Sequence, residues 1–241
     1  MIDRDRLVAW GEENNLEITG RQADQLDRYA QLLVEWNEKM NLTAITDPEG
    51  VLVKHLMDSL TVLRSLPAAG EKVRLIDVGT GAGFPGIPLA VMREELELTL
   101  LDSLNKRLVF LEAVCRALGL EARCVHARAE EAGRQKAHRE KYNVATARAV
   151  AALPALCEYC LPLVVPGGVF LAMKGPDGER EAQEAASAIK VLGGKLSGID
   201  EWQLPPVEGE AAERKILRIQ KFSPTPDRFP RQAAKIAKQP L

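Results

Sequence analysis

Along the first seventy positions, apolar residues recur at the three-to-four-residue spacing of helices. The stretch "TGRQADQLDRYAQLLVEWNEK" opens with Thr19 and Gln22 at capping-box spacing. Leu26, Tyr29, Ala30, Leu33 and Trp36 or Asn37 then follow at helical intervals. "TDPEG" announces another helix, with Asp47 as N-cap and Pro48 at the first helical position, where its missing N–H costs nothing. This helix is predicted to run through "VLVKHLMDSLTVL" and to stop before Pro67.

From Val73 the period changes. The β-rich runs "VRLIDVG", "LELTLLD", "EARCVHA", "YNVATARA" and "GGVFLAMKG" alternate with "PGIPLAVMREE", "NKRLVFLEAVCRALG" and "AALPALCEYCLPLVV". Such alternation predicts an α/β fold, a parallel sheet with helices on both faces. After a helix over "GEREAQEAASAIKVLGG" come "KLSGIDEWQLP" and "RKILRIQKF", joined by the loop "PVEGEAAE". Without a helical crossover, these two strands are expected to pair antiparallel. The chain thus divides into an N-terminal helical extension (1–70), a domain on a mostly parallel seven-stranded sheet (71–222) and a proline-broken basic tail (223–241), laid over the surface or mobile.

Composition adds bounds to this outline. A chain of 241 residues, 46% apolar, can bury one large core and a small appendage. No run approaches the roughly 18 uncharged apolar residues of a membrane span, and "MIDRDRLVAW" does not read as a signal peptide, so the expected location is cytoplasmic. A C-x-x-C pair, Cys157 and Cys160, has no second pair at zinc spacing, so buried core thiols are expected with Cys115 and Cys124, and no metal. The net charge is −2, yet from Lys215 to Leu241 seven basic residues face one acid, Asp227. A basic end on a slightly acidic protein reads either as a phosphate-contacting arm or as a solvated tail.

The candidate chemistry lies in "LIDVGTGAGFPGIPLAV". Gly81, Gly83 and Gly86 fit the dinucleotide fingerprint G-x-G-x-x-G, and Asp102 ends the next strand where a ribose-binding acid belongs. Asp77, however, would repel a pyrophosphate and favour a ligand carrying an ammonium group. Pro85 also removes an N–H that a pyrophosphate would use. S-adenosylmethionine, an adenosine joined to an amino acid through a sulfonium, fits these constraints. Ala129 and Glu130, after the third strand, then stand where an adenine edge would lie.

In this order, "MNLTAI", "KHLMDSL", "DVGTGAGFPGIPLA", "LLDSLNKR", "ARAEE", "ARAV" and "MKG" resemble the bacterial 16S rRNA guanine-N7 methyltransferase family, also called glucose-inhibited division protein B. The resemblance covers nearly the whole chain. It implies a Rossmann-like class I S-adenosylmethionine-dependent methyltransferase fold and methyl transfer to N7 of a guanine (position 527) in the decoding-region loop of 16S rRNA. The partner would be that RNA, the small ribosomal subunit or an assembly intermediate, bound by a monomer. Cofactor contacts are expected from Gly79, Phe84, Asp102, Ala129, Glu130 and Arg148, with Asp77, Gly81 and Ser103 beside them. Asn41, His55, Asp58, Arg148 and Lys174 are candidates for catalysis or substrate contact. Lys106, Arg107, Arg228, Arg231, Lys235 and Lys238 are candidates for RNA contact. One departure is in the tail, where Ala233 and Ala234 stand where relatives tend to carry a glycine.

Guanine N7 already holds an unshared pair at neutral pH, so its methylation needs no general base. In agreement, "ARAV" replaces the Asp/Asn-Pro-Pro-aromatic run of enzymes that methylate exocyclic amines. Competing readings are a small-molecule methyltransferase, a nonenzymatic rRNA-binding or assembly factor and, last, an NAD-dependent oxidoreductase. If the tail only binds RNA, removing residues 224–241 should lower RNA affinity and leave cofactor affinity nearly unchanged.

Overall fold

A computed structural model describes residues 1–68, 70 and 72–241. The chain opens with α1 (Arg4–Glu13) and α2 (Gly20–Met40). The expected capping box starts α2: the Thr19 hydroxyl accepts the Gln22 N–H at 3.3 Å, and the Gln22 side chain accepts the Thr19 N–H at 2.9 Å. Asn41 ends the helix in the left-handed region, with φ at 51°.

The next predicted helix forms a continuous rod of changing pitch. α3 (Pro48–Gly50) is capped by Asp47, whose carboxylate accepts the Gly50 N–H at 2.6 Å. π-helical turns span Val51–Met57, followed by α4 (Asp58–Leu60) and a 3-10 segment, Thr61–Ser65. The wider turn is invisible in the sequence because the rod is buried nearly all round. Val51, Leu52, Val53, Leu56, Met57 and Leu60 are each at most 1% exposed, leaving no polar stripe to reveal the turn angle.

The β-rich runs form β1 (Val73–Val78), β2 (Leu96–Asp102), β3 (Ala122–His126), β4 (Tyr142–Arg148), β5 (Val164–Lys174), β6 (Gly194–Val207) and β7 (Glu210–Lys221). They make one seven-stranded sheet in the order β3-β2-β1-β4-β5-β7-β6. The first five pair in parallel, and β7 is antiparallel to both β5 and β6. Where a loop was expected over 206–213, both strands continue to a two-residue turn at Glu208 and Gly209, with φ of 54° and 86°. Positive φ at both positions matches the twist of a tight hairpin.

Between the strands lie α5 (Gly86–Met92), α6 (Asn105–Leu118), α7 (Ala129–Ala132), α8 (Leu153–Cys160), α9 (Gly178–Glu184) and α10 (Ala186–Val191). Strand alternation assigns neighbours to opposite cores: Leu75 packs with α2, the rod, α5 and α6, whereas Ile76 and Val78 pack with α8 and α10. Cys157 and Cys160 are fully buried in the second core and Cys115 is buried in the first. In the tail, Phe229 and Ile236 are buried, and a short helix, α11 (Ala233–Lys238), lies against α8. No helix among the described residues is long and apolar enough to cross a membrane.

Candidate active site

The parallel strands bring the carboxyl ends of β1, β2, β3 and β4 to one edge, the usual ligand edge of such a sheet. The chain leaves β1 through the glycine loop, whose Gly79, Gly81 and Gly83 have φ of 69°, 61° and 102°. The Tyr29 hydroxyl, on α2, donates to the Ala82 carbonyl at 2.5 Å and fixes the loop against the helical extension. Gly83 has no room for a side chain, since an added Cβ would come within 2.8 Å of that hydroxyl.

Asp77 is fully buried beneath the loop. Its Oδ2 accepts the Thr80 hydroxyl at 2.7 Å and the Gly86 N–H at 2.9 Å, while Oδ1 has no hydrogen-bond partner among the described residues. Burial pushes its pKa up to about 6, against the opposing effect of those two hydrogen bonds. An orphaned buried carboxylate oxygen is costly unless a cation or donor meets it, so the site suits a ligand bearing an ammonium group.

Asp102 ends β2 with its carboxylate held by three donors: the Gly81 N–H at 3.0 Å, the Leu104 N–H at 2.8 Å and the Arg107 guanidinium at 3.3 Å. Beside it opens a cleft of about 380 Å³, lined by Gly79, Asp102, Ser103, Ala129, Glu130 and Val150 among others. Asp77, Gly81 and Phe84 do not line this cleft. A larger depression of about 1190 Å³ lies toward the opposite strand ends, near Arg74, Glu97 and Arg123. Lacking the glycine turn, it is the weaker candidate for a nucleoside.

Next to the loop, Phe84 is buried between three groups. His55 stacks on it at 4.6 Å, the Tyr29 ring lies at 5.1 Å and the Arg148 guanidinium covers it at 4.9 Å. Arg148 donates to Asp58 at 2.9 Å and to the Lys54 carbonyl at 3.1 Å, and its other terminal nitrogen lies 3.3 Å from His55 Nδ1. The Thr43 hydroxyl meets His55 Nε2 at 2.8 Å. Burial, with Arg148 adding to it, pulls the His55 pKa down to about 4, which keeps the imidazole neutral at physiological pH.

The structure therefore unites His55, Asp58, Phe84 and Arg148 in one cluster, outside the cleft that holds Asp102, Ala129 and Glu130. Arg214, on β7, joins the cluster through Asp58 at 2.8 Å and was not anticipated. The signal was available: a final strand antiparallel to β5 starts at the edge where β5 ends. Asn41 is exposed at the end of α2, and Lys106 reaches the Met40 carbonyl at 3.4 Å.

Other cations have internal partners. Arg107 binds Asp102, which explains a basic residue in the first turn of α6. Lys174 is held by Glu181 at 2.7 Å and the Ala151 carbonyl at 2.9 Å. Arg231 forms a forked ion pair with Glu158, with its closest approach at 2.6 Å. Arg228, Lys235 and Lys238 remain exposed along the tail.

Residues 22–206 match the family model for rRNA small subunit methyltransferase G. Ribosomal RNA small subunit methyltransferase G of Alkaliphilus metalliredigens is 49% identical over 95% of both chains. The protein of the same name from Exiguobacterium sibiricum is 48% identical over the full length of both. Among solved structures, the Bacillus subtilis YcgJ protein superposes with a TM-score of 0.53 at 11% identity, covering 70% of this chain and all of that one. TYW2 of M. jannaschii, solved in complex with AdoMet, gives 0.51 at 12% identity, covering 64% of this chain and 71% of that one. The sheet order, the glycine turn and these likenesses agree on the class I methyltransferase fold. With most of its length matched and near-complete relatives at almost half identity, the chain belongs to the rRNA small subunit methyltransferase G family.

Proposed function

We propose that this chain methylates N7 of a guanine (position 527) in the decoding-region loop of 16S rRNA. Membership of a small-subunit rRNA methyltransferase family carries the coarser statement, methyl transfer to that RNA. The finer reading is supported by "ARAV" at the end of β4, in place of the Asp/Asn-Pro-Pro-aromatic run of enzymes that methylate exocyclic amines, and His55, packed on Phe84 beside a guanidinium, offers no ready base. A group held at a pKa of about 4 is a poor proton acceptor, which suits an acceptor atom that has no proton to lose.

S-adenosylmethionine supplies an electrophilic methyl carbon on sulfur. Asp77 would face its ammonium end from beneath the glycine loop, Asp102 would hold its ribose hydroxyls, and Ala129 with Glu130 the adenine edge. The N7 lone pair would form the new C–N bond as the C–S bond breaks, leaving S-adenosylhomocysteine and a cationic purine. The protein's work is then alignment and exclusion of water. The test is transfer of label from S-adenosylmethionine to 16S rRNA and to small-subunit particles, with the product mapped by strand cleavage at N7-methylguanine. Labelling at a single cleavable guanine is expected. Label on an exocyclic amine, on a small molecule or nowhere would reject the reading.

A further inference from the structure

The cleft beside Asp102 is closed on one side by a residue from the far end of the chain. Ala233, the first residue of α11, lines it together with Ala129, Glu130, Ala151 and Tyr159. From this arrangement we infer that the C-terminal segment is part of the cofactor site, forming the wall that covers the adenine end of S-adenosylmethionine. The inference rests on the reading of that cleft as the cofactor's.

Three observations support a built wall rather than a tail lying there by chance. First, Glu158 on α8 is fully buried and holds Arg231 by both its backbone N–H and its side chain. It accepts the Arg231 N–H at 2.7 Å and, in a fork, the guanidinium at 2.6, 2.9 and 3.1 Å. A carboxylate in that setting needs its cation, because an unpaired buried charge is strongly destabilising. The next residue along α8 is Tyr159, itself a lining residue, so the clamp and the cleft share one helical turn.

Second, Arg139 gathers the backbone before the clamp. Its guanidinium donates to the carbonyls of Thr225 at 2.6 Å, Phe229 at 2.8 Å and Gly133 at 3.0 Å. Third, Ile236 is fully buried beyond the clamp, so the segment is fastened on both sides of Ala233. Around Ala233 the cleft is lined by the small apolar residues Ala127, Ala129 and Ala151 and by the polar Arg128, Glu130 and Tyr159. A purine has that profile: apolar faces and a polar edge bearing an amino group.

The tail thus acts on cofactor affinity, the reverse of the expectation that its removal would be felt by RNA alone. The test uses the full-length protein and two probes, S-adenosylhomocysteine and 5′-methylthioadenosine, the latter carrying adenosine without the amino acid end. Ala233→Trp is expected to weaken both at least tenfold by calorimetry, with little change in the melting temperature of the ligand-free protein. Glu158→Gln should speed S-adenosylhomocysteine release. If that variant fails to fold, Ala233→Trp, which alters only a partly exposed position, still decides the matter. Unchanged affinity for both probes in folded Ala233→Trp overturns the proposal, as does a loss confined to S-adenosylhomocysteine, which would put the tail at the other end of the ligand. Asp102→Ala separates the two readings: normal binding there means that the cleft is not the cofactor's, whereas lost binding there with normal binding by Ala233→Trp rejects the wall alone.

Discussion

Asp58 holds Arg148 at 2.9 Å through one carboxylate oxygen and Arg214 at 2.8 Å through the other. A single buried anion therefore spaces two guanidinium groups carried by β4 and β7. Replacing it leaves both cations with one fewer partner in a site where water reaches poorly. Asp58→Ala is expected to lower stability by about 3 kcal/mol, in the range for breaking a buried ion pair. Urea unfolding should show a lower midpoint with an unchanged slope. A wild-type midpoint would mean that water already screens the pair.

Asp77 is expected to make cofactor affinity depend on pH. Its carboxyl is pushed up to about 6 by burial, so the fold favours the protonated form. Its contribution to stability is therefore fully present below the ordinary value of 3.8 and is lost as pH rises through about 6. A ligand ammonium facing it favours the ionised form instead. Affinity for S-adenosylhomocysteine should rise between about pH 5 and pH 7, with proton release on binding, and Asp77→Asn should flatten the dependence. Calorimetry in buffers of different ionisation enthalpy measures both, and a pH-independent affinity in the unmodified protein would remove Asp77 from the ligand.

His55 is expected to leave the rate untouched by titration. Held neutral by burial and by Arg148, with its pKa lowered to about 4, it does not change charge in the physiological range. Single-turnover methylation with both substrates saturating should be level from about pH 6 to pH 8. A rate falling tenfold per unit below about pH 7 would reveal an essential base. The same shift makes a stability statement of opposite sign to that of Asp77. His55's contribution is complete above the ordinary 6.5 and is lost as pH falls toward about 4.

Two glycines with positive φ should respond differently to alanine. At Gly119, with φ at 68°, an added Cβ meets nothing within 4 Å, so only backbone strain of about 1 kcal/mol is expected. At Gly83, with φ at 102°, the Cβ would approach Leu111 at 2.7 Å and Ile87 and the Tyr29 hydroxyl at 2.8 Å. Gly83→Ala should cost about 2 kcal/mol more than Gly119→Ala, because packed neighbours must move as well. Thermal melting of the two variants gives the comparison, and equal losses would show that the loop is held more loosely than its contacts indicate.

Periodicity made the sheet legible because each parallel strand is a short apolar run between helix signals. The glycine loop was legible because D-x-G-x-G-x-G carries both its backbone freedom and its charge. Residues joined by tertiary contact were not. Nothing near Arg107 in sequence reveals that Asp102 neutralises it, and nothing near Arg231 points to Glu158, 73 positions earlier. Both arginines read as surface cations because a sequence shows charge without showing its partner. The hairpin turn was hidden for another reason: Glu208 at positive φ breaks the Asn/Asp-Gly pattern by which such turns are recognised.

The position of β7 governs the order in which the molecule can be completed during synthesis. Strands β1 to β5 can assemble as they emerge, but β5 then presents a bare edge, since its outer neighbour is made after β6. The last two strands, joined by a two-residue turn, are suited to pair first with each other and dock as a ready-made ribbon. Until residue 221 has left the ribosome, the nascent chain carries an open strand edge of the kind that invites association with other chains. Arg214 arrives with that ribbon, so its contact with Asp58 forms only when the sheet is whole.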